Sequence, residues 1–274
     1  MFQIVRKQEM ARGTIIRFDL KAPRIAEKVK AGQFVIVRVN ETGERIPLTV
    51  AAKDVAAGNI TIIFQVVGKT TALMRSLNEG DMIRDVVGPL GRPAEVENMG
   101  NVLMVGGGTG VAILYHVTKA FKEAGNHVIS IMGARDKEML ILEQEMAKVS
   151  DELIVTTDDG SYGIHGFVTD PLKKILEERQ DISLVYAIGP IVMMKNVVKL
   201  TKQYDVKTMV SLNPIMIDGT GMCGGCRVKV EGITQFCCVD GPDFDGFKVD
   251  FEELISRNNL YLDQEKESML FSVH

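Results

Sequence analysis

Two hydrophobic patterns follow one another along the chain. Up to about residue 88, apolar and polar positions alternate in short runs, which is typical of antiparallel strands that bury one face. Turn-forming segments at 40–43 and 57–59 separate runs of strand length. The predicted strands are 14–20, 33–39, 46–51, 60–67 and 82–87, with one helix at 70–77. This part of the chain therefore predicts a small antiparallel β-barrel or sandwich.

From residue 101 onward, short apolar runs alternate with segments of helical periodicity. The predicted strands are 101–105, 127–132, 153–157, 184–188 and 208–212, and the predicted helices are 111–122, 138–149, 171–179 and 192–203. Repeats of this kind predict right-handed crossovers and a doubly wound α/β domain with a parallel sheet. Segment 88–93 precedes the change of pattern and is dense in Gly and Pro. We expect neither a strand nor a helix to continue through it.

The regular pattern stops after residue 212, which predicts a multi-domain chain of four parts. These are a β-barrel domain (1–97), an α/β nucleotide domain (98–212), a small C-terminal module rich in Gly, Asp and Cys (213–246), and a charged tail (247–274). In the tail, Phe251, Leu254 and Ile255 form one apolar stripe at helical spacing. This stripe predicts either a partner-binding surface or docking onto the chain's own domain.

Composition and charge exclude several classes of protein. The 274 residues are 46% hydrophobic and 25% charged, as in ordinary globular domains, and no apolar stretch has the roughly 18 residues that a membrane span needs. The first residues lack the pattern of a secretory signal, so we expect a cytoplasmic protein that does not contact membranes. The net charge of −4, without a basic run, argues against nucleic acid as a partner.

The cysteines indicate a metal or redox site. All four lie together, at Cys223, Cys226, Cys237 and Cys238, whereas a disulfide framework would be spread along the chain. Together with Asp218 they give the spacing D-x4-C-x2-C-x11-C, which matches plant-type iron–sulfur sites with Asp in the first position. A structural zinc site is the alternative. It is less consistent because its second pair would be adjacent in sequence rather than spaced as C-x2-C.

The predicted cluster ligands are Asp218, Cys223, Cys226 and Cys238. If the segment around Cys237 is extended, its side chain and that of Cys238 point to opposite faces, so both cannot readily reach one cluster. The competing interpretation of Asp218 is that its carboxylate only caps a glycine-rich turn.

A glycine-rich turn follows the first predicted strand of the α/β domain. The sequence Gly106–Gly110 opens a helix, where backbone N–H groups and the helix dipole can meet a phosphate. It is not a full G-x-G-x-x-G motif, because position 111 is Val. The next strand is followed by Arg135 rather than by the acidic residue that would hold an NAD ribose. An arginine there could bind a 2′-phosphate or be solvated, so this feature leaves NAD and NADP both open.

Two further motifs lie in the barrel. In Arg45-Ile46-Pro47-Leu48-Thr49, the arginine could neutralise a pyrophosphate and the threonine could bond a ring nitrogen, although a strand capped by an arginine is the simpler interpretation. Gly68-Lys69-Thr70-Thr71 opens a helix but is not a P-loop, because Ile63 occupies the position of its first glycine. What remains is a helix N-terminus with two hydroxyls, suited to a phosphate or to ordinary capping.

Taken together, these motifs resemble the ferredoxin-reductase-like flavoproteins, and within them the electron-transfer subunits that end in a [2Fe–2S] segment. The residues 45–49 look like the flavin motif of that family, 68–71 like its pyrophosphate turn, and 88–91 like its interdomain hinge. The segment 157–163 is similar to another loop on the nucleotide side. The resemblance extends over nearly the whole chain.

The resemblance implies three cofactors and their binding residues. FAD would be held by Arg45, Pro47, Leu48, Thr49, Gly68, Lys69, Thr70 and Thr71; NAD(H) by Gly106, Gly107, Gly108, Thr109, Gly110, Arg135, Asp158, Gly189 and Pro190; and a [2Fe–2S] cluster by Asp218, Cys223, Cys226 and Cys238. It implies no catalytic side chain, since FAD itself accepts the hydride and Thr49 positions it. Many members have Cys before the last Gly-Pro, whereas this chain has Ile188.

The resemblance also implies a function and a partner. The chain would take hydride from NADH onto FAD and pass single electrons to the cluster, since a flavin can carry either one or two electrons. It would form a heterodimer with a larger flavin and iron–sulfur subunit and take part in electron bifurcation. Sulfide dehydrogenase and dihydroorotate dehydrogenase subunits share this plan and remain alternatives. A non-catalytic nucleotide-sensing protein with a zinc knuckle is the alternative from another class.

Overall fold

The computed structural model describes residues 1–270, and its first part is a curled antiparallel sheet. The elements are β1 (Phe2–Met10), β2 (Ile15–Lys21), α1 (Pro23–Lys28), β3 (Phe34–Arg38), β4 (Ile46–Asp54), β5 (Asn59–Gln65), α2 (Lys69–Ser76), β6 (Met82–Ile83) and β7 (Asp85–Leu90). The strand order is β6-β1-β2-β5-β4-β3-β7. Its interior is filled by apolar side chains from alternate strand positions, among them Ile4, Phe18, Ile60 and Ile62, all fully buried. The predicted antiparallel domain is confirmed.

The second part alternates strands and helices, and the third part returns to the same sheet. The elements are β8 (Asn101–Gly107), α3 (Gly110–Glu123), β9 (His127–Ala134), α4 (Glu143–Val149), β10 (Glu152–Thr157), β11 (Ile164–His165), α5 (Thr169–Glu178), β12 (Ile182–Ile188), α6 (Ile191–Thr201), β13 (Thr208–Ser211), β14 (Arg227–Val230), β15 (Ile233–Phe236), α7 (Cys237–Asp240), β16 (Asp243–Asp245), α8 (Phe251–Asn258) and α9 (Leu262–Leu270). The order in the large sheet is β11-β10-β9-β8-β12-β13-β16. The strands from β11 to β13 are parallel, and β16 pairs antiparallel with β13.

Two local expectations from the sequence are wrong, and one short helix was missed. Strand β7 continues through Gly88 and Pro89, which an edge strand tolerates because its outer side needs no ladder hydrogen bond. The helix predicted at 138–149 is divided into a 3-10 turn and the shorter α4. The reason is that the Asp136 carboxylate accepts hydrogen bonds from two N–H groups of the turn, and Leu142 then adopts a left-handed φ of 57°. Helix α1 was not predicted, because six residues give too little periodicity.

Helix α3 joins the two large domains. One hydrophobic cluster contains its buried residues together with Ala51 and Ile63 of the antiparallel sheet. The His116 ring on this helix also contacts the Val50 carbonyl, with 2.9 Å between Nδ1 and O, and burial lowers the pKa of that ring. The antiparallel domain is therefore packed against the face of α3, which fixes it relative to the glycine-rich turn where α3 begins.

The C-terminal residues pack onto the molecule's own core. Phe251 and Leu254 are buried in the cluster that also contains Met194 and Val197 of α6. Of the two interpretations of the apolar stripe, the structure shows docking onto the chain's own domain for Phe251 and Leu254, whereas partner binding by the rest of the tail stays a prediction.

Among residues 1–270, no helix has both the length and the apolar character of a membrane span.

We expect Leu254→Ala to destabilise the protein by about 2–5 kcal/mol, the cost of a cavity at a fully packed leucine. Ser256→Ala, on the exposed face of the same helix, is the matched control and should change stability by less than about 0.5 kcal/mol. Denaturant unfolding of both variants measures the difference. Equal stability of the two variants would contradict the packing described here.

Candidate cofactor cavity and cysteine loop

A cavity of about 900 Å³ lies where the three parts of the chain meet. Its volume is typical of sites that enclose cofactors. The antiparallel domain contributes Ile46, Pro47, Leu48, Thr49, Phe64, Gln65, Val67 and Thr71; the α/β domain contributes Gly107, Gly108, Thr109, Gly110, Arg135, Asp158, Gly189, Pro190 and Met193; and the C-terminal part contributes Asn213, Pro214, Met216 and Pro242. Ser211 and Leu212, at the end of β13, complete this third wall.

The glycine-rich turn forms one edge of the cavity and depends on close backbone contacts. A Cβ at Gly110 would lie 2.6 Å from the Ile188 carbonyl oxygen, so only glycine lets α3 start this close to the end of β12. Gly108 has a φ of +56°, and no atom lies within 4 Å of the position that a Cβ would occupy, so there is open space beside it. Gly106 instead packs against Leu114 and does not line the cavity. This turn can thus offer backbone N–H groups to a phosphate.

The predicted flavin motif is only partly at the cavity. Pro47, Leu48 and Thr49 line it from β4, whereas Arg45 is exposed just before that strand and is absent from the lining. An FAD phosphate could be reached by Arg45 only if its long side chain turned toward the cavity.

The second barrel motif forms the N-terminus of α2. The Thr71 hydroxyl accepts hydrogen bonds of 3.0 Å from the N–H groups of Val67 and Gly68, and Thr71 lines the cavity. Thr70 is buried and donates to the Glu44 carboxylate over 2.8 Å. Lys69 is exposed, and neither it nor Gly68 is part of the lining. Thr71 therefore both holds the turn together and faces the cavity.

Arg135 and Asp158 follow neighbouring parallel strands and line the same end of the cavity. The Asp158 N–H donates to the Ala134 carbonyl over 3.0 Å, which keeps the two loops together. One cation and one carboxylate are thus presented to a ligand at this end. Sequence reasoning named both residues but could not place them side by side.

Several cavity residues were missed from sequence. The Met193 side chain lies against two glycines, because a Cβ at Gly107 would be 2.5 Å from its sulfur and one at Gly189 would be 2.7 Å from its methyl carbon. Ser211 and Asn213 were missed as well. Their position at the carboxyl end of β13 was the available signal, because ligands of open α/β sheets bind along that edge.

The cysteine loop is organised by hydrogen bonds to thiols and to one carboxylate. The Cys223 sulfur accepts from the Gly225 N–H, and the Cys226 sulfur accepts from the Cys238 N–H, each over 3.4 Å. The Asp218 carboxylate accepts from the N–H groups of Thr220 (2.9 Å) and Cys223 (2.7 Å). Backbone donors that surround thiols are typical of iron–sulfur sites.

Hydrogen bonds and burial shift the pKa values of Asp218 and Cys238 in opposite directions. The backbone hydrogen bonds from Thr220 and Cys223 lower the pKa of Asp218, so its carboxylate is ionised. Burial, the contact with Cys226 and the charges of Cys226 and Asp218 raise the pKa of Cys238 to about 12. A metal bound here would displace the thiol protons, because thiolates are the ligands.

Cys237 is set apart from the other three cysteines. It begins the helical turn α7, so the assumption of an extended segment was wrong. Its side chain is fully buried and its sulfur donates to the carbonyl oxygen of Leu212 over 3.5 Å. Burial raises the pKa of this thiol well above its usual range. Although both lie in this helical turn, Cys237 faces Leu212 and Cys238 faces Cys226.

The backbone of the cysteine loop can curve around a bound group. The loop contains Gly219, Gly221 and Gly224 with positive φ, a conformation that favours glycine. Among residues 1–270, no three His, Cys, Asp or Glu side chains lie close enough together to hold one metal ion.

Family models and relatives match this arrangement. The models described as oxidoreductase FAD-binding domain, oxidoreductase NAD-binding domain, and iron-sulfur cluster binding domain of dihydroorotate dehydrogenase B match residues 1–94, 104–199 and 213–250. A dihydroorotate dehydrogenase B (NAD(+)) electron transfer subunit homolog of Thermotoga maritima is 49% identical over 96% of this chain and 93% of its own length. The chain belongs to the family of dihydroorotate dehydrogenase B-type electron-transfer subunits. It contains domains that bind FAD, NAD and an iron–sulfur cluster.

Two further comparisons extend this result. The electron transfer subunit of Desulforamulus reducens dihydroorotate dehydrogenase B is 32% identical over 85% of this chain and 92% of its own length. A structure of an NADH-dependent reduced ferredoxin-NADP oxidoreductase, reported for insights into flavin-based electron bifurcation, is 47% identical with a TM-score of 0.94 and covers 100% of this chain and 98% of the matched chain. The family prediction made from the sequence is confirmed.

We expect Gly110→Ala to cost about 3 kcal/mol of stability, the upper end for overpacking, because the new methyl group would meet the backbone of Ile188 and Gly189. Gly108→Ala is the control and should cost only about 1 kcal/mol, for a left-handed alanine with free space around it. Denaturant unfolding of both variants without added nucleotide tests this. A Gly110→Ala protein as stable as the control would mean that the turn can relax.

Proposed function

We propose that the chain is the small subunit of an electron-bifurcating NADH-dependent reduced ferredoxin:NADP oxidoreductase. It takes hydride from NADH onto FAD and passes electrons one at a time to a [2Fe–2S] cluster. A larger subunit that carries flavin and iron–sulfur groups is its partner in a heterodimer. Support comes from the 47% identical structure of such an enzyme, which is covered almost completely.

One observation carries the electron-transfer role. A single cavity is lined by the FAD-binding, NAD-binding and cluster-binding parts of the chain, and the cysteine loop follows directly on its third wall. When bound, the flavin supplies two-electron chemistry toward NADH and one-electron chemistry toward the cluster. A flavin bound in this cavity could therefore accept hydride from NADH and donate electrons to the cluster.

In this proposal the chain's own residues bind and orient. The N-terminus of α2 with Thr71 and the residues Pro47 to Thr49 hold FAD, while Gly107 to Gly110 and the Gly189-Pro190 pair hold the nicotinamide nucleotide. Ile188 replaces the cysteine that many members have before Gly-Pro, and it is buried, so no thiol from this position assists hydride transfer. Geometry alone must align donor and acceptor.

For the cluster we propose Asp218, Cys223, Cys226 and Cys238 as ligands. The Asp218 charge acts on Cys238, which supports its proximity to the thiols, and Cys237 faces Leu212 instead. Asp218 also caps the glycine-rich turn, since both of its carboxylate oxygens accept backbone hydrogen bonds. A carboxylate oxygen has further lone pairs that remain for iron.

The alternative is an electron-transfer subunit of dihydroorotate dehydrogenase or of sulfide dehydrogenase. The names of several relatives favour the first of these. The partner subunit distinguishes them, because the cavity and the cysteine loop serve each of these reactions equally well.

The deciding experiment is anaerobic purification of the native complex, followed by assays of its reaction. We expect a larger flavin and iron–sulfur partner, and NADP reduction that requires NADH and reduced ferredoxin together.

In stopped-flow measurements NADH should reduce the flavin faster than NADPH, because Arg135 shares its end of the cavity with the Asp158 carboxylate, which opposes a 2′-phosphate. Oxidation of dihydroorotate or sulfide by the complex, or a preference for NADPH, would contradict this assignment.

The ligand proposal predicts opposite results for two variants. Asp218→Ala should lose or alter the electron paramagnetic resonance signal of the reduced cluster, whereas Cys237→Ser should leave iron content and signal unchanged. Because Cys237 is buried among apolar groups, Cys237→Ala serves as a second control if the serine variant folds poorly. Loss of the cluster in both Cys237 variants, with an unchanged signal in Asp218→Ala, would assign four cysteine ligands.

A further inference from the structure

A partly buried aspartate lies directly behind the cavity wall. Asp243 begins β16, and its Oδ2 atom accepts a hydrogen bond from the Tyr186 hydroxyl of β12. Its Oδ1 atom is buried and has no hydrogen-bond partner in the described part of the chain. A carboxylate oxygen without a partner costs about 1–3 kcal/mol or more, so a structural purpose alone does not explain it.

Ser211 connects this carboxyl group to the cavity. Ser211 of β13 is directly opposite Asp243 in the antiparallel pair, which places both side chains on the same face of the sheet. Ser211 also lines the cavity, together with Thr49 and Gly189. A hydroxyl can accept one proton while it gives up another. Ser211 is therefore suited to connect a ligand in the cavity with the carboxyl group of Asp243.

We propose that Asp243, acting through Ser211, receives the proton that a flavin in this cavity must release when it is oxidised. This inference rests on the proposed function, and it assigns a role to two residues outside the cofactor motifs.

The proton balance requires such an acceptor. Hydride transfer from NADH brings two electrons and one proton to the flavin ring. If both electrons then left the flavin one at a time through a bound cluster, one proton would remain to depart. In the proposed step that proton goes to the Ser211 hydroxyl oxygen, the proton of Ser211 goes to the Asp243 carboxylate, and Asp243 later loses it to solvent. A [2Fe–2S] cluster holds one electron at a time, so it would take the second only after passing the first to the partner subunit, which is the two-electron oxidant in this balance.

The groups around Asp243 suit this exchange. Burial and the charge of Glu95 raise the pKa of the carboxyl group, the hydrogen bond from Tyr186 and the nearby Ser211 hydroxyl lower it, and the result is about 6. Cys237 on α7 also faces it, and the Asp243 charge contributes to the raised pKa of that thiol. Gly32 of the antiparallel domain also lies near Asp243, since a Cβ added at Gly32 would be 3.4 Å from Oδ2, and it offers no charge. The acid can thus take up and release a proton near neutral pH.

The test is stopped-flow reoxidation of the NADH-reduced holoprotein by an excess of a one-electron acceptor such as ferricyanide, over roughly pH 5 to 8. For the wild type, the rate should fall about tenfold per pH unit below the pKa of Asp243, because the protonated acid cannot accept. Asp243→Asn should remove this pH dependence and slow reoxidation by about 10²-fold at the upper end of the range. Tyr186→Phe should shift the inflexion to higher pH, since a hydrogen bond that lowers the pKa is lost.

Controls separate this inference from a structural effect and from the proposed function. Asp245→Asn, on the same strand, should keep the wild-type profile. If Asp243→Asn does not fold, Ser211→Ala removes only the connecting hydroxyl and should also slow reoxidation. As an independent readout, the redox infrared difference spectrum should lose a protonated-carboxyl band in Asp243→Asn and keep it in Asp245→Asn.

An unchanged pH profile and infrared band in Asp243→Asn would overturn the inference while leaving the proposed function intact. Failure of NADH to reduce the flavin in the wild type would instead overturn the proposed function, because hydride transfer needs no proton from Asp243.

Discussion

The pairing of β16 with β13 is the interaction on which the functional arrangement depends. β13 ends at the cavity, and β16 belongs to the segment that carries the cysteines. The Leu212 N–H donates to the Pro242 carbonyl over 2.9 Å, next to this pair. A two-domain flavin reductase does not need such an added strand. Here it fixes the cysteine loop to the edge of the sheet at which ligands bind, so the distance between the cavity and the cysteine loop is set by backbone hydrogen bonds.

A second set of backbone contacts ties the same segment to the antiparallel domain. The Arg92 N–H donates to the Gly241 carbonyl over 2.7 Å, and the Arg92 side chain donates to the Val239 carbonyl over 3.2 Å. The Gln33 side chain in turn donates to the Gly91 carbonyl over 2.7 Å. The cysteine segment is therefore held from two domains. This explains why the cavity has three walls rather than two.

Much of the architecture could be predicted from the sequence, because periodicity reports on burial. Alternation identified the antiparallel strands, and the spacing of Cys223, Cys226 and Cys238 indicated the cluster. Contacts between distant segments were beyond this reasoning. The alternation of β16 is too short to be noticed, and nothing local shows that Asp243 meets Tyr186. The segment at Cys237 was expected to be extended for a similar reason. The hydrogen bond from the Phe236 N–H to the Asp240 carboxylate helps to start α7, and the hydrophobic pattern does not show it.

The position of α3 has a thermodynamic consequence. Its N-terminus begins at the nucleotide turn, and its body shares a hydrophobic cluster with the antiparallel domain. A ligand that binds the folded form stabilises everything that must unfold with its site. Occupancy of the NAD site is thus coupled to the stability of the FAD domain through one helix. Damage in the core of either domain would weaken nucleotide binding in the other, even where every residue that contacts the nucleotide is intact.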